Sequence, residues 1–318
     1  MFRTRLGWGT GVAHCDILGL LVVSRKDNTL SVYTSPRLGC GDEGFVFQYF
    51  LGGAESPAPL QFQFEDNFGI SSGYLAFTGC ALARNLLVTD AGHDAVHVID
   101  VVYKRHVGFV AAPGTITGPR GVAARDSWVA VSAWRSFFRN DMIQIFEGSG
   151  AVWTRVRVVE YTADGVLSRP WGLRFTRCDE DGGVDDAAKA AIVVADSNKG
   201  RLCMFRVRDG SFVRHVATGL YHPVFDVEEF DHGWLVAGGS IEFVNGGELS
   251  IMTTSLDNVA SLATVRGVGM VVRERWSAWM SVFATYDALS MAAMRIDRVG
   301  WMMAVVRSIM ARNANANV

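Results

Sequence analysis

With 318 residues, 49% of them hydrophobic, and a formal net charge of −2, the chain can bury a large core and has no overall electrostatic pull toward nucleic acid or membrane. The apolar stretch 299–306 is far shorter than the about 20 residues that cross a bilayer, which points to a soluble protein with no membrane partner. Thirty-four Gly against seven Pro, with many Val-rich runs, read as a turn-dense all-β chain.

Five segments in chain order share one grammar: LLVVSRKDNTLSVY (20–33), LLVTDAGHDAVHVID (86–100), WVAVSAWRSFFRNDMIQIF (128–146), IVVADSNKGRLCMF (192–205) and WLVAGGSIEFV (234–244). Each is an apolar strand, a polar or Gly-rich turn and an alternating strand, the pattern of a β-hairpin. Turn-opened lead-in strands stand ahead of three of them, at GPRGV (118–122), RPWGL (169–173) and HPVFDV (222–227), and VRGVGMVV (265–272) reads as the start of one more. Measured from Gly11, Gly73, Gly121, Gly172, Phe225 and Gly267, the units are spaced 62, 48, 51, 53 and 42 residues apart. Repeats of this length predict a single β-propeller, most simply six four-stranded blades, within residues 1–284.

The tail departs from this pattern. Seven of the eleven Met lie from residue 266 onward, and Leu289, Ala292, Ile296, Val299, Met303, Val306 and Met310 share one face at helical spacing. Residues 285–312 read as a C-terminal amphipathic helix or as the outer strands of the last blade, followed by a frayed 313–318. With a helix there, the strand around Phe2–Trp8 would complete the last blade.

At these residues the chain resembles NHL-repeat β-propellers. Asp90 and Asp196 stand where that family ends its "VAD" strand, with Ser24, Ser132 and Gly238 replacing the Asp in other units; Pro119-Arg120-Gly121-Val122 resembles its blade opening, and NKGRLCMF (198–205) its Asn-x-x-Arg tail. The resemblance covers 85–245 well and the two ends loosely. It implies a binding scaffold. Six-bladed relatives also include metal-dependent lactonases and an amidating lyase, which keeps open an alternative reading as a hydrolase or lyase with a metal at the channel mouth, near Asp90, Asp196 and Asp226.

Blade geometry places the second-to-third turns and the lead-in turns on one face of the ring. That face collects Arg25, Lys26, His93, Arg120, Arg135, Arg139, Arg169, Lys199, Arg201, His222 and Arg266, with aromatics in the same turns. Arg and aromatic side chains together suit an acidic protein partner or, second, RNA. The expected binding residues are Arg120, Trp134, Arg135, Phe137, Phe138, Arg139, Trp171 and Arg201. Each Arg also has a structural reading, as the partner of a carboxylate in a neighbouring blade. The opposite face receives the acidic insertion CDEDGGVDDAAK (178–189), read as a solvated loop because it lacks calcium-loop spacing.

No G-x-S-x-G elbow, P-loop or dinucleotide fingerprint is present, and His93-Asp94-Ala95-Val96-His97 straddles an expected turn rather than sharing a helix face as a zinc-protease motif does. Catalytic residues, metal ligands and cofactors are therefore not assigned. Five cysteines (Cys15, Cys40, Cys80, Cys178 and Cys203) without a CxxC spacing suggest reduced thiols and a cytoplasmic setting. The expectation is a monomeric, non-enzymatic propeller scaffold that binds a protein.

Overall fold

Val-rich runs bounded by Gly, Asp and Asn turns form strands that pair with their neighbours in the chain. A computed structural model describes residues 11–15, 18–24, 29–34, 46–52, 75–77, 85–134, 141–160, 167–176, 190–217, 224–230, 233–237, 241–245, 248–254, 259–265, 268–273 and 281–283. These residues make six antiparallel sheets, five of four strands and one of three. The first holds β1 (Val12–Cys15), β2 (Leu20–Ser24), β3 (Leu30–Thr34) and β4 (Val46–Leu51). The second holds β5 (Leu75–Phe77), β6 (Asn85–Asp90), β7 (Ala95–Asp100) and β8 (Arg105–Ala111). The third holds β9 (Pro119–Arg125), β10 (Trp128–Ala133), β11 (Met142–Ser149) and β12 (Val152–Glu160). The fourth holds β13 (Pro170–Thr176), β14 (Ala191–Asp196), β15 (Arg201–Arg206) and β16 (Phe212–Ala217). The fifth holds β17 (Asp226–Phe230), β18 (Gly233–Ala237), β19 (Ile241–Asn245) and β20 (Glu248–Thr254). The last holds β21 (Val259–Val265), β22 (Val268–Arg273) and β23 (Ser281–Phe283).

Within each sheet the strands follow chain order, and the first strands β1, β5, β9, β13, β17 and β21 lie against one another in sequence, with β21 back against β1. That ring of inner strands defines a β-propeller. The segment 265–272 does not open a unit: Val268–Arg273 is a second strand, paired to the first strand Val259–Val265. No Pro or Gly turn opens VASLATV, and it is such turns that mark the lead-in strands at GPRGV, RPWGL and HPVFDV. The expected helix at 285–312, the tail 313–318, the strand around Phe2–Trp8 and the acidic insertion lie outside the described residues.

The core sits between sheets rather than inside one. Leu86 and Val88 pack with Val22, Val32 and Leu51 of the first sheet, while Leu87, between them on β6, packs with Val122, Val129 and Val131 of the third. On β14, Ile192 and Val194 meet Ile143 and Ile145 of the third sheet, whereas Val193 and Ala195 meet Val227 and Val236 of the fifth. Both faces of a middle strand are buried, so these strands read as continuous apolar runs instead of strict alternation.

Polar staples set the register between sheets. The Thr89 hydroxyl donates to the Arg120 carbonyl at 2.8 Å, and the Ser132 hydroxyl donates to the Trp171 carbonyl while accepting the Gly121 amide at 2.8 Å. In the first sheet the Gly11 amide donates to the Ser24 hydroxyl at 2.6 Å. The pairings Leu75↔Val88, Val122↔Val131 and Leu173↔Val194 put Thr89, Ser132 and Ala195 in one slot, and Asp90, Ala133 and Asp196 in the next. Ser132 and Ser24 are thus hydroxyl staples and not replacements of the Asp, a correction of one residue. Among the described residues no helix is long and apolar enough to cross a membrane.

Candidate functional site

The lead-in turns and second-to-third turns are bonded to each other, which puts them on one face. Gly118 donates its amide to the Asp94 carboxylate at 2.8 Å, Ser168 donates to Asp196 Oδ1 at 2.8 Å, and Ser197 donates to the Arg169 carbonyl at 3.2 Å. On this face, Val122↔Val131, Leu173↔Val194 and Val227↔Val236 align three first strands so that Arg120, Trp171 and Phe225 occupy one slot in successive sheets.

Side chains in that slot are neighbours. The Trp171 ring meets Phe225 edge-on at 5.2 Å between centroids, and the Arg120 guanidinium lies 5.7 Å from the Trp171 centroid. Trp134, the residue after β10, is pinned by its amide to the Gly118 carbonyl at 3.0 Å, and its ring lies 5.5 Å from Trp171. Two guanidiniums approach the Trp134 ring at 5.1 Å each, those of Arg120 and Arg169. The result is a column of two cations and three aromatic rings drawn from three sheets. A cation over an aromatic face is attracted by the ring quadrupole, by about 0.5–1 kcal/mol when exposed and about 2 when desolvated.

Burial divides the column. Arg120 is 7% exposed and Trp134, expected in an open turn, is 8% exposed. The Trp134 indole N–H has no hydrogen-bond partner among the described residues. Arg169 is exposed and adopts a left-handed backbone at φ 52° ahead of Pro170, where a non-Gly residue is strained. Its amide donates to the Asp141 carboxylate, and burial outweighs that bond to hold Asp141 above its ordinary value.

Of the eight expected binding residues, Arg120, Trp134 and Trp171 come together, and Arg201 stands apart. Its Nε donates to Asp196 Oδ2 at 2.9 Å within its own sheet. Arg135, Phe137, Phe138 and Arg139 lie outside the described residues. Phe225 was not expected; its only signal was that it shares the register of Trp171.

The acidic residues near the channel mouth are engaged with the fold. Asp90 caps its turn, accepting the Gly92 amide at 3.1 Å and the His93 amide at 3.2 Å on Oδ1, with His93 Nδ1 and His97 Nε2 at 2.8 and 3.3 Å from Oδ2. The His93–His97 pair does straddle a turn and the start of β7. Asp226 lies 3.6 Å from Arg174 Nη2. Beside Asp196, the buried Cys203 thiol sits 3.6 Å from Oδ2 and 3.4 Å from His215 Nδ1. Burial, then the Asp196 charge, pushes the thiol up to about 12, so it is not a thiolate nucleophile at neutral pH. Among the described residues no three His, Cys, Asp or Glu side chains form a group that would hold a metal.

One histidine carries a pH prediction. His106 Nε2 lies 3.2 Å from His97 Nδ1, and burial, followed by the His97 charge, pushes His106 down to about 4. An unfolded His titrates near 6.5, so between these values the unfolded chain binds more protons and stability falls as pH falls. For a half-buried group we expect a loss of about 1–2 kcal/mol between pH 7 and pH 4. Urea midpoints of the wild type and His106→Gln at the two pH values check this: the variant should lose that much less.

No family model matches the chain, and no curated protein matches it. Solved structures do. Sqt1 of Saccharomyces cerevisiae superposes with a TM-score of 0.51 at 12% identity, over 90% of this chain and 77% of that one. A nidogen/laminin complex gives 0.49 at 14% identity, over 74% and 75%, and the computationally designed Ika8 protein gives 0.48 at 13%, over 85% and 82%. The likeness to Sqt1 is one of fold. The chain is an all-β protein of the β-propeller type.

Proposed function

We propose that the chain is an NHL-type propeller scaffold that binds a protein partner through the face on which Arg169, Trp171 and Phe225 are accessible, backed by the buried Arg120 and Trp134, together with Arg135, Phe137, Phe138 and Arg139. The observation that carries the proposal is the column of two guanidiniums and three aromatic rings at aligned positions of three successive sheets. Trp and Arg held rigidly by packing dominate binding energy at protein interfaces, because little side-chain entropy is lost when the partner arrives. The buried thiols Cys15 and Cys203 suit a reducing, cytoplasmic setting.

A photo-crosslinking amino acid placed at Lys199 reports on this face, and one at Ser127, in the β9–β10 turn, reports on the other. Protein adducts are expected from Lys199 and not from Ser127, and Arg169→Ala, at an exposed side chain, should diminish them at an unchanged melting temperature. Equal adducts from both positions overturn the face, and nuclease-sensitive adducts overturn the protein partner in favour of RNA.

A further inference from the structure

We infer that the end of the ring opposite the lead-in turns pairs with the same end of a second copy of this chain, rim against rim, in a two-fold dimer. Third strands run away from the lead-in turns, so the turns from third to fourth strand share that opposite end. Eight large apolar side chains are exposed among the described residues, and six of them flank those turns. Val46 and Phe47 open β4, Val102 and Tyr103 precede β8, Val152 opens β12 and Phe212 opens β16. None of the eight stands in a turn of the lead-in face. Apolar residues scattered singly over a surface are ordinary; four successive sheets offering them at one end are not. Tyr103 is 61% exposed and Val152 75%.

The tips are also rigid. Asp100 Oδ1 accepts the Val102 amide at 3.0 Å and the Tyr103 amide at 2.9 Å, and the Asp209 carboxylate accepts the Ser211 amide at 2.8 Å just ahead of Phe212. The Trp153 indole N–H donates to the Gly150 carbonyl at 2.9 Å across the turn that carries Val152. Side chains presented this way lose little entropy when a partner arrives.

Shape and charge name the partner. The apolar tips are spread over four sheets of the outer rim, so a partner that meets them together must offer apolar groups on a circle of the same diameter. The same end of another copy does so, and its two-fold relation repeats every contact. The charges are of both signs, with exposed Lys104, Arg105, Arg206 and Arg208 beside exposed Glu147 and Asp209. A self-pairing surface satisfies both signs, whereas an anionic lipid surface meets only the cations. Pairing at this end leaves both lead-in faces outward, does not depend on the binding face proposed above, and departs from the monomer expected from the sequence.

Sedimentation of the purified chain over a range of concentrations reads the pairing directly, and a species of twice the chain mass is expected. Each substitution enters a two-fold interface twice, so a tenfold effect per site becomes roughly a hundredfold. Tyr103→Asp combined with Val152→Asp, both at exposed positions, should raise the dimer dissociation constant by at least about a hundredfold, with the β-sheet circular dichroism unchanged. Lys199→Asp, on the lead-in face, should leave that constant unaltered. A chain that stays monomeric, a dimer that survives the double change, or one that falls apart with Lys199→Asp overturns the inference. A monomer that instead sediments with anionic vesicles assigns the rim to lipid and overturns it too. Self-adducts from Ser127 carry twice the chain mass and are thereby told from partner adducts, so either reading can fail without the other.

Discussion

Gly121→Ala is expected to remove about 3 kcal/mol or more of folding stability, read as a lower urea midpoint at an unchanged slope. In an ordinary strand the same change would stabilise by about 0.5–1 kcal/mol. Here an added Cβ falls well inside contact with the Trp171 carbonyl oxygen, 2.9 Å from Ser132 Oγ and 3.0 Å from the Gly172 Cα. None of these atoms has room to yield. The Trp171 carbonyl accepts the Ser132 hydroxyl, and the Gly172 amide donates to the Phe225 carbonyl at 2.8 Å. Relief requires moving one sheet away from the next, at the point where the aromatic column crosses between them. Gly172→Ala should behave alike, since its Cβ would stand 2.8 Å from the Asp226 Cα. A neutral Gly121→Ala variant would show that the sheets are less closely apposed than described.

The second large effect is at Asp196. It is fully buried and accepts the Ser168 amide at 2.8 Å and Arg201 Nε at 2.9 Å. Asp196→Ala should cost about 3–5 kcal/mol, because it deprives both a largely buried guanidinium and a turn amide of their acceptor. Burial raises the Asp196 carboxyl above its ordinary value despite Arg201 and Ser168, so the charge is held at a net desolvation cost. Asp196→Asn keeps an acceptor and sheds that cost, and should lose only about 1 kcal/mol. Adding Arg201→Met to Asp196→Ala should cost less than the sum of the single changes, as expected for a coupled pair. Additive losses in that cycle would mean that Arg201 and Asp196 act independently, which would return Arg201 to the set of available surface cations.

Much of the scaffold is legible in the sequence. The five hairpins, from LLVVSRKDNTLSVY to WLVAGGSIEFV, are strands at the expected places, because an apolar run, a turn and an alternating run admit few other structures. The sharing of one face by lead-in and second-to-third turns followed from blade geometry alone. The first strand of the last sheet is not announced in the sequence because no Pro or Gly turn opens VASLATV as one opens GPRGV and RPWGL. The slot of Ser132 was misjudged by one residue because a serine standing near an Asp position looks like a polar substitute. Its role appears only when the Trp171 carbonyl of the next sheet is beside it.

The candidate site shows the same division. The sequence alone places Arg120, Trp134 and Trp171 near the turns of one face, since period-2 strands and turn residues are local signals; the structure puts Arg120 and Trp171 at the second residue of β9 and of β13, and Trp134 directly after β10. The sequence could not show that these three residues form a column with Arg169 and Phe225, that Trp134 is buried, or that Arg201 is spent on Asp196. The column depends on how successive sheets pack together, and the Arg201 bond on the β14–β15 hairpin that sets Asp196 opposite Arg201. Such packing is decided by side-chain volume and by the absence of a Cβ at Gly121 and Gly172, and only the tertiary structure brings those atoms together.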